Sequence, residues 1–257
     1  GAVLGRMGRA DLCAPGGCEL GPRPIDLHLS ALRAMGCEVR EEQGIHCLGR
    51  PKGGEVQLSI PSVGATENAM LCAVGASGPT TITNAAREPE IGDLQSFLNS
   101  LGAGVRGAGS STITVEGGRC LSGGEYTVMG DRIVAATLLS AAASAGGTVR
   151  LRGVDWRHLA TVLSVFHQAG CRVESKLEYV ELFRDGSVPL RGAPTVRTAP
   201  YPGFPTDAQA PVMAALAASQ GCTLFVETIF DSRYRHVPEL IRMGADVTTE
   251  GRVARVR

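Results

Sequence analysis

Cys18, Arg23 and Asp207 stand where a sequence puts reacting groups rather than packing groups. Cys18 lies in Pro15-Gly16-Gly17-Cys18-Glu19-Leu20-Gly21-Pro22, a loop with glycine or proline on both sides, and Arg23 follows it closely. Glycines let such a loop move and let its backbone approach a ligand. A thiol that is exposed and near a cation is driven toward its reactive thiolate form. The guanidinium is a planar fork suited to phosphate or carboxylate. Directly after it, Pro24-Ile25-Asp26-Leu27-His28 begins a helix. Pro24 suits the first helical turn, where a missing N–H costs nothing, and Asp26 falls near the free backbone donors. A nucleophile or proton donor beside an anion clamp is the chemistry this stretch can support.

Three strand-to-helix turns carry ligand-type residues: Ser62-Val63-Gly64-Ala65-Thr66, Gly130-Asp131-Arg132-Ile133 and Phe204-Pro205-Thr206-Asp207. A helix N-terminus offers unpaired N–H groups and a positive dipole end, hence anion binding. By residue type alone, Ser62, Asp131 and Thr206 read first as N-caps. Their recurrence at equivalent turns favours a shared site. Asp207 follows the proline-rich approach Tyr201-Pro202-Gly203-Phe204-Pro205. A carboxylate held there either takes a proton from a substrate hydroxyl or simply serves the first turn of a helix. Arg233 and Arg235 read equally as cleft cations or solvated side chains. His28, His236 and Trp156 read as structural, since no His/carboxylate spacing suggests a metal.

The elements that must position these groups come as a repeat. Leu32-Arg33-Ala34-Met35-Gly36-Cys37, Asn99-Ser100-Leu101-Gly102-Ala103, His167-Gln168-Ala169-Gly170-Cys171 and Ile241-Arg242-Met243-Gly244-Ala245 each end an amphipathic helix on a glycine. Each glycine fits the left-handed position after a helix. They recur roughly every 70 residues, too long a period for an ordinary solenoid. Ahead of the later copies we expect strands over 56–60, 126–129 and 195–199. Small-residue helices over 65–76, 132–144 and 207–219 follow, then strands over 80–83, 148–152 and 222–227. The three helices are apolar nearly all round and should be buried. In the exposed helix, Ile91, Leu94, Leu98 and Leu101 form one stripe. A hairpin of 104–106 with 112–116 closes the unit. Helices therefore lie inside and sheets outside.

The chain has 257 residues and a formal net charge of +0, which argues against nucleic acid as the main partner. No apolar run is long enough to span a bilayer, and no signal-peptide pattern opens the chain. Cysteine occurs 8 times without a Cys-x-x-Cys pair or zinc spacing, which reads as reduced thiols in a cytosol. Apart from Cys18, they read as small buried hydrophobes. Nothing in the sequence sets an oligomeric state.

The loop around Cys18, the run Arg23-Pro24-Ile25-Asp26-Leu27-His28 and the turn Ser62-Val63-Gly64-Ala65-Thr66-Glu67-Asn68 closely resemble the UDP-N-acetylglucosamine 1-carboxyvinyltransferase family. So do Asn84-Ala85-Ala86-Arg87-Glu88-Pro89-Glu90-Ile91, Arg197 to Asp207, and Glu227-Thr228-Ile229-Phe230 with Arg233 and His236 to Leu240. The motifs run through the whole chain in order. The resemblance implies a bacterial cytoplasmic enzyme of peptidoglycan synthesis. It moves the enolpyruvyl group of phosphoenolpyruvate to the 3'-hydroxyl of UDP-N-acetylglucosamine and releases phosphate. The implied fold is an inside-out α/β barrel of two similar domains built from βαβαββ repeats, here 1–130 and 131–257, with no metal or organic cofactor.

By motif, Cys18 is the implied proton donor to the enol methylene and the thiol alkylated by fosfomycin. Asp207 is the implied base on, or holder of, the sugar hydroxyl. Arg23 is implied in phosphate binding. Pro24, Ile25, Asp26 and Leu27 are implied in holding the UDP part, and Ser62, Val63 and Gly64 in cradling the diphosphate. Ile229 is implied in a backbone contact to the nucleotide sugar. The family's N-terminal Lys-Asn pair and its C-terminal aspartate and arginines have no counterpart in this sequence. Ile60 stands where some members carry lysine. The expected outcome is little or no turnover with a surviving nucleotide-sugar surface. The alternatives are a non-catalytic nucleotide-sugar-binding chain and a shikimate-phosphate enolpyruvyl transferase; the residues around Cys18 and Arg23 speak against the latter.

Overall fold

A computed structural model describes residues 1–13 and 25–257. Cys18, Arg23 and Pro24 lie outside the described residues. The chain divides into two compact units, Gly1–Val128 and Met129–Arg257.

In the first unit, α1 (Ala2–Met7), β1 (Arg9–Leu12), α2 (Asp26–Ala34), β2 (Glu38–Arg40) and β3 (Ile45–Leu48) make one copy of the repeat. A second follows as β4 (Gly54–Gln57), α3 (Val63–Val74), β5 (Thr80–Thr83), α4 (Pro89–Ser100), β6 (Gly104–Arg106) and β7 (Thr112–Glu116). The second sheet has order β4-β5-β7-β6, with β4 and β5 parallel and the rest antiparallel. A parallel pair needs a crossover, and α3 supplies it. The first sheet runs β1-β3-β2, the same order without the leading strand.

The second unit repeats both patterns. One copy comprises α5 (Arg132–Ala145), β8 (Gly147–Arg152), a 3-10 turn at Trp156–Leu159, α6 (Ala160–Gln168), β9 (Arg172–Ser175) and β10 (Tyr179–Arg184). The other comprises β11 (Val196–Arg197), a 3-10 turn at Thr206–Ala208, α7 (Gln209–Leu216), β12 (Thr223–Val226), a 3-10 turn at Arg233–His236, α8 (Val237–Arg242), β13 (Val247–Glu250) and β14 (Val253–Val256). Its sheet order, β11-β12-β14-β13, matches β4-β5-β7-β6, and again the first pair is parallel. The middle sheet runs β8-β10-β9.

Gly36, Gly102, Gly170 and Gly244 all take positive φ, from 83° to 101°. Each turns the chain out of its helix, and the next residue's N–H bonds back to the helix, as in Ala103 to Leu98 O at 3.0 Å. Small residues let the central helices approach their neighbours. In α3, Ala65, Ala69, Met70, Cys72 and Ala73 are fully buried. That helix packs on α1, α2 and β7, while α5 packs on α7, β8 and β10. The result is one apolar core per unit, helices within and sheet without.

Three expectations fail locally. No strand forms over 126–129. Tyr126 instead lays its ring edge-on against Phe97 and donates its hydroxyl to Asp93 Oδ1 at 2.9 Å. The 207–219 helix opens as a 3-10 turn and ends at Leu216, because Gln220 is drawn into a bridge with Arg191 and donates to Leu190 O at 2.7 Å. Finally, α5 is not buried all round: Val134 and Leu138 on one face are exposed.

Candidate functional site

In the first unit the site residues gather where α2 and α3 begin. Ile25 is the N-cap residue of α2, and Asp26 and Leu27 form its first turn. Ser62 caps α3, its Oγ accepting from Ala65 N at 3.3 Å, and Val63 and Gly64 open the helix. Its carbonyl accepts the Thr66 hydroxyl at 2.8 Å, and Thr66 Oγ1 accepts Ala86 N at 3.0 Å. This ties the turn to the 84–91 motif. Gly64 is closely faced by a neighbour: a Cβ there meets His28 Cε1 at 3.3 Å and Nε2 at 3.4 Å. The starts of α2 and α3 therefore touch through the His28 ring. Burial pushes the His28 imidazole below its ordinary value, while Asp26 opposes it. From sequence His28 reads as structural; its ring stands beside the Ser62-Val63-Gly64 turn.

Glu67, one helical turn along, has its carboxyl pushed up by burial and by the charge of Glu90. These acidic groups place negative charge on the α4 side of α3.

The equivalent turns of the second unit differ. Asp131 is a cap, its Oδ1 accepting Ile133 N at 2.7 Å and Val134 N at 3.0 Å. Thr206 is not. Its hydroxyl donates to the buried Glu227 at 2.9 Å, and the cap position falls to Pro205. Asp207 is left to present its carboxylate, 61% exposed, and Arg233 grips Oδ1 from Nη2 at 2.6 Å. The same nitrogen donates to Thr206 O at 3.1 Å, and the guanidinium lies 5.7 Å from the Phe230 ring centre. Arg233, weighed evenly from sequence, is a side chain only 12% exposed that holds the candidate base. A carboxylate so held is open to a hydroxyl on one side and fixed on the other.

Ile229 lies on the loop after β12, its N–H donating to Glu227 Oε1 at 2.7 Å. Arg252 braces this loop, donating to Thr228 O at 3.1 Å and pairing with Asp231. Thr228 donates its hydroxyl to Thr198 O at 2.6 Å. Thus Asp207 and Ile229 belong to one hydrogen-bonded assembly, whereas Asp26 and Leu27 meet Ser62, Val63 and Gly64 only through the packing of α2 on α3. Among the described residues, no group of three or more His, Cys, Asp or Glu side chains could hold a metal ion. Among them, too, no helix is long and apolar enough to cross a membrane.

The cysteines divide. Cys37, Cys47, Cys72 and Cys171 are buried, and burial pushes each thiol up, Cys72 to about 12. Cys13, Cys120 and Cys222 are exposed, contrary to the expectation that all but Cys18 are core residues.

Comparison with known proteins gives a consistent picture. The chain matches the family model for EPSP synthase (3-phosphoshikimate 1-carboxyvinyltransferase) over residues 1–256. It is 46% identical to UDP-N-acetylglucosamine 1-carboxyvinyltransferase 2 of Caldanaerobacter subterraneus subsp. tengcongensis, over 100% of this chain and 62% of that protein. It is 47% identical to UDP-N-acetylglucosamine 1-carboxyvinyltransferase 1 of Symbiobacterium thermophilum, covering 100% of this chain and 58% of that one. The chain thus spans about three fifths of the length of the curated relatives it matches. Among solved structures, the enolpyruvyl transferase NikO from Streptomyces tendae superposes with TM-score 0.79 at 21% identity, over 99% of this chain and 61% of that one. EPSP synthase from Acinetobacter baumannii gives TM-score 0.67 at 22% identity, over 99% of this chain and 62% of that one. The shared architecture is the inside-out α/β fold of the enolpyruvyl transferases, and the chain belongs to the EPSP synthase (3-phosphoshikimate 1-carboxyvinyltransferase) family.

Proposed function

We propose that this chain carries the nucleotide-sugar site and two reacting groups of a UDP-N-acetylglucosamine 1-carboxyvinyltransferase, which acts in the cytoplasm at the first committed step of peptidoglycan synthesis. The Ser62-Val63-Gly64 turn takes the diphosphate on its free N–H groups. Arg23 adds a cation for phosphate, and Pro24, Ile25, Asp26 and Leu27 hold the uridine side. Ile229 meets the sugar nucleotide through its backbone, and Asp207 faces the 3'-hydroxyl. As the sugar oxygen bonds to C2 of phosphoenolpyruvate, its proton passes to Asp207 and a proton passes from Cys18 to the C3 methylene. Loss of phosphate and of a C3 proton from the resulting adduct leaves the enol ether. The chemistry needs an acid at carbon, a base at oxygen and cations on phosphate, and calls for no cofactor.

The observation that carries this reading is the exposed Asp207 carboxylate gripped by Arg233 in the same assembly as Ile229. The names of the relatives favour UDP-N-acetylglucosamine over shikimate 3-phosphate as acceptor. A second reading, a chain that binds the nucleotide sugar without turnover, makes the same use of Ile229 and of the Ser62-Val63-Gly64 turn. The test is phosphate release and product mass with phosphoenolpyruvate and either acceptor. Release with UDP-N-acetylglucosamine supports the enzyme, and binding without release supports the second reading. Release with shikimate 3-phosphate alone overturns both.

A further inference from the structure

We propose that Glu227 is a positioning residue that locks the candidate base and the nucleotide-sugar loop into one geometry; the inference rests on the roles proposed above for Asp207 and Ile229. Glu227 is 1% exposed, at the end of β12. A buried carboxylate is costly unless its lone pairs are used. Here five donors converge on it. Oε1 accepts Thr198 Oγ1 at 3.0 Å, Ile229 N at 2.7 Å and Phe230 N at 3.1 Å. Oε2 accepts Thr206 Oγ1 at 2.9 Å and Gln209 Nε2 at 3.1 Å.

These donors come from four separate pieces of the fold: the end of β11, the turn that bears Asp207, the start of α7 and the loop after β12. One side chain therefore fixes Thr206, immediately before Asp207, and the peptide plane of Ile229. Because Glu227 occupies the Ile229 N–H, the backbone group Ile229 can offer a ligand is its carbonyl. Arg233 completes the arrangement from the other side, bonding both Thr206 O and Asp207 Oδ1. Asp207 is thus held by Arg233 directly and by Glu227 through Thr206.

The network also dictates which substitutions it tolerates. In Glu227→Gln, the amide oxygen can stay at the Oε1 position, where two backbone N–H groups cannot turn away. The new NH2 then sits at the Oε2 position. There the Thr206 hydroxyl can rotate to accept, and Gln209 can flip its amide. Among the described residues, Gln209 Oε1 is buried with no partner, so the flip gives it one. Glu227→Ala has no such escape: all five donors lose this acceptor, those of Thr198 and Gln209 in the core. Glu227→Asp keeps the charge but loses a methylene of reach, so it cannot serve both clusters.

Hydrogen exchange read by mass spectrometry on the full 257-residue chain tests this directly. E227A is expected to speed exchange at residues 204–209 and 228–231 by about tenfold or more, with 179–184 unchanged, because the opening is local. E227D is expected to do the same to a lesser degree, and E227Q to restore parental protection. In calorimetry, E227A is expected to weaken UDP-N-acetylglucosamine binding about tenfold or more and E227Q about threefold or less. The proposal is overturned if E227D, and E227A where it folds, leave both segments as protected as in the parent. It is equally overturned if E227Q matches E227A, which makes charge rather than placement the relevant property. Failure of the parent to bind UDP-N-acetylglucosamine removes the functional reading, while the exchange comparison still decides the role of Glu227.

Discussion

Gly64→Ala separates what the α3 turn contributes to folding from what it contributes to a ligand. Gly64 has ordinary helical backbone, so alanine is conformationally acceptable there. Helix propensity and loss of unfolded-chain freedom favour alanine by about 0.4–1 kcal/mol. Against this, the new methyl meets the His28 ring at 3.3 Å, tighter than ordinary van der Waals contact. His28 must give by a few tenths of an ångström, and turning a ring off its rotamer costs about 0.5–1.5 kcal/mol. The two terms nearly cancel, so the melting temperature should move by no more than about 2 °C. Binding should not be spared. With the diphosphate bound as proposed, a methyl at Gly64 crowds the N–H groups that take it. Loss of one charge-assisted hydrogen bond costs about 1.5–3 kcal/mol, roughly 10- to 100-fold in affinity for UDP-N-acetylglucosamine. Thermal melts and titration calorimetry on the same preparations measure both. Unchanged affinity with unchanged stability refutes the diphosphate assignment of Ser62-Val63-Gly64. A fall in melting temperature beyond about 6 °C refutes the packing argument instead.

Arg233→Ala should separate stability from binding in the same way. Its partner Asp207 is largely exposed, so the pair contributes at most about 1 kcal/mol to folding, yet the variant should lose nucleotide-sugar affinity because Asp207 is no longer held. A melt and a titration give the two numbers. His28, whose imidazole sits below its ordinary value in the free chain, should be pulled back up by a nearby diphosphate. Binding must then take up a proton and tighten as pH falls below the ordinary 6.5, and His28→Asn should abolish that slope. Calorimetry in two buffers of different ionisation enthalpy reads the proton directly. At high pH the sign reverses to a folding effect. Cys72 and Tyr234 are acids whose folded values are raised to about 12 by burial, from 9.0 and 10.0. Their contribution to stability is complete below the unfolded values and is lost as pH rises from 9 toward 12, which denaturant midpoints across that range would follow.

The repeat was legible because its markers are local. A helix that must end on a left-handed residue writes glycine into the sequence, and the hairpin of 104–106 with 112–116 follows from strict alternation. The strand expected at 126–129 forms no ladder, and Tyr126 finds its partners on α4 instead. The apolar faces of α3 and α5 look alike in sequence, yet only packing distinguishes buried Ala135 and Leu139 from exposed Val134 and Leu138. Ser62 and Asp207 could be singled out by type and by their place at helix starts. Glu227 and His28 could not be assigned roles in the same way. Nothing in the spacing of Thr198, Thr206, Gln209 and Ile229 says that their donors meet at one carboxylate, and nothing near His28 says that its ring faces Gly64.

In the proposed function Cys18 reacts as part of a nucleotide-sugar site, and fosfomycin labelling puts that to the test. Buried Cys37, Cys47, Cys72 and Cys171, with thiols raised by burial, should stay silent, leaving exposed Cys13, Cys120 and Cys222 as the competing sites among the described residues. Intact mass and peptide mapping should find one adduct, on Cys18, forming faster when UDP-N-acetylglucosamine is present. Adducts on Cys13, Cys120 or Cys222 instead, or labelling of Cys18 that ignores the nucleotide sugar, would contradict it.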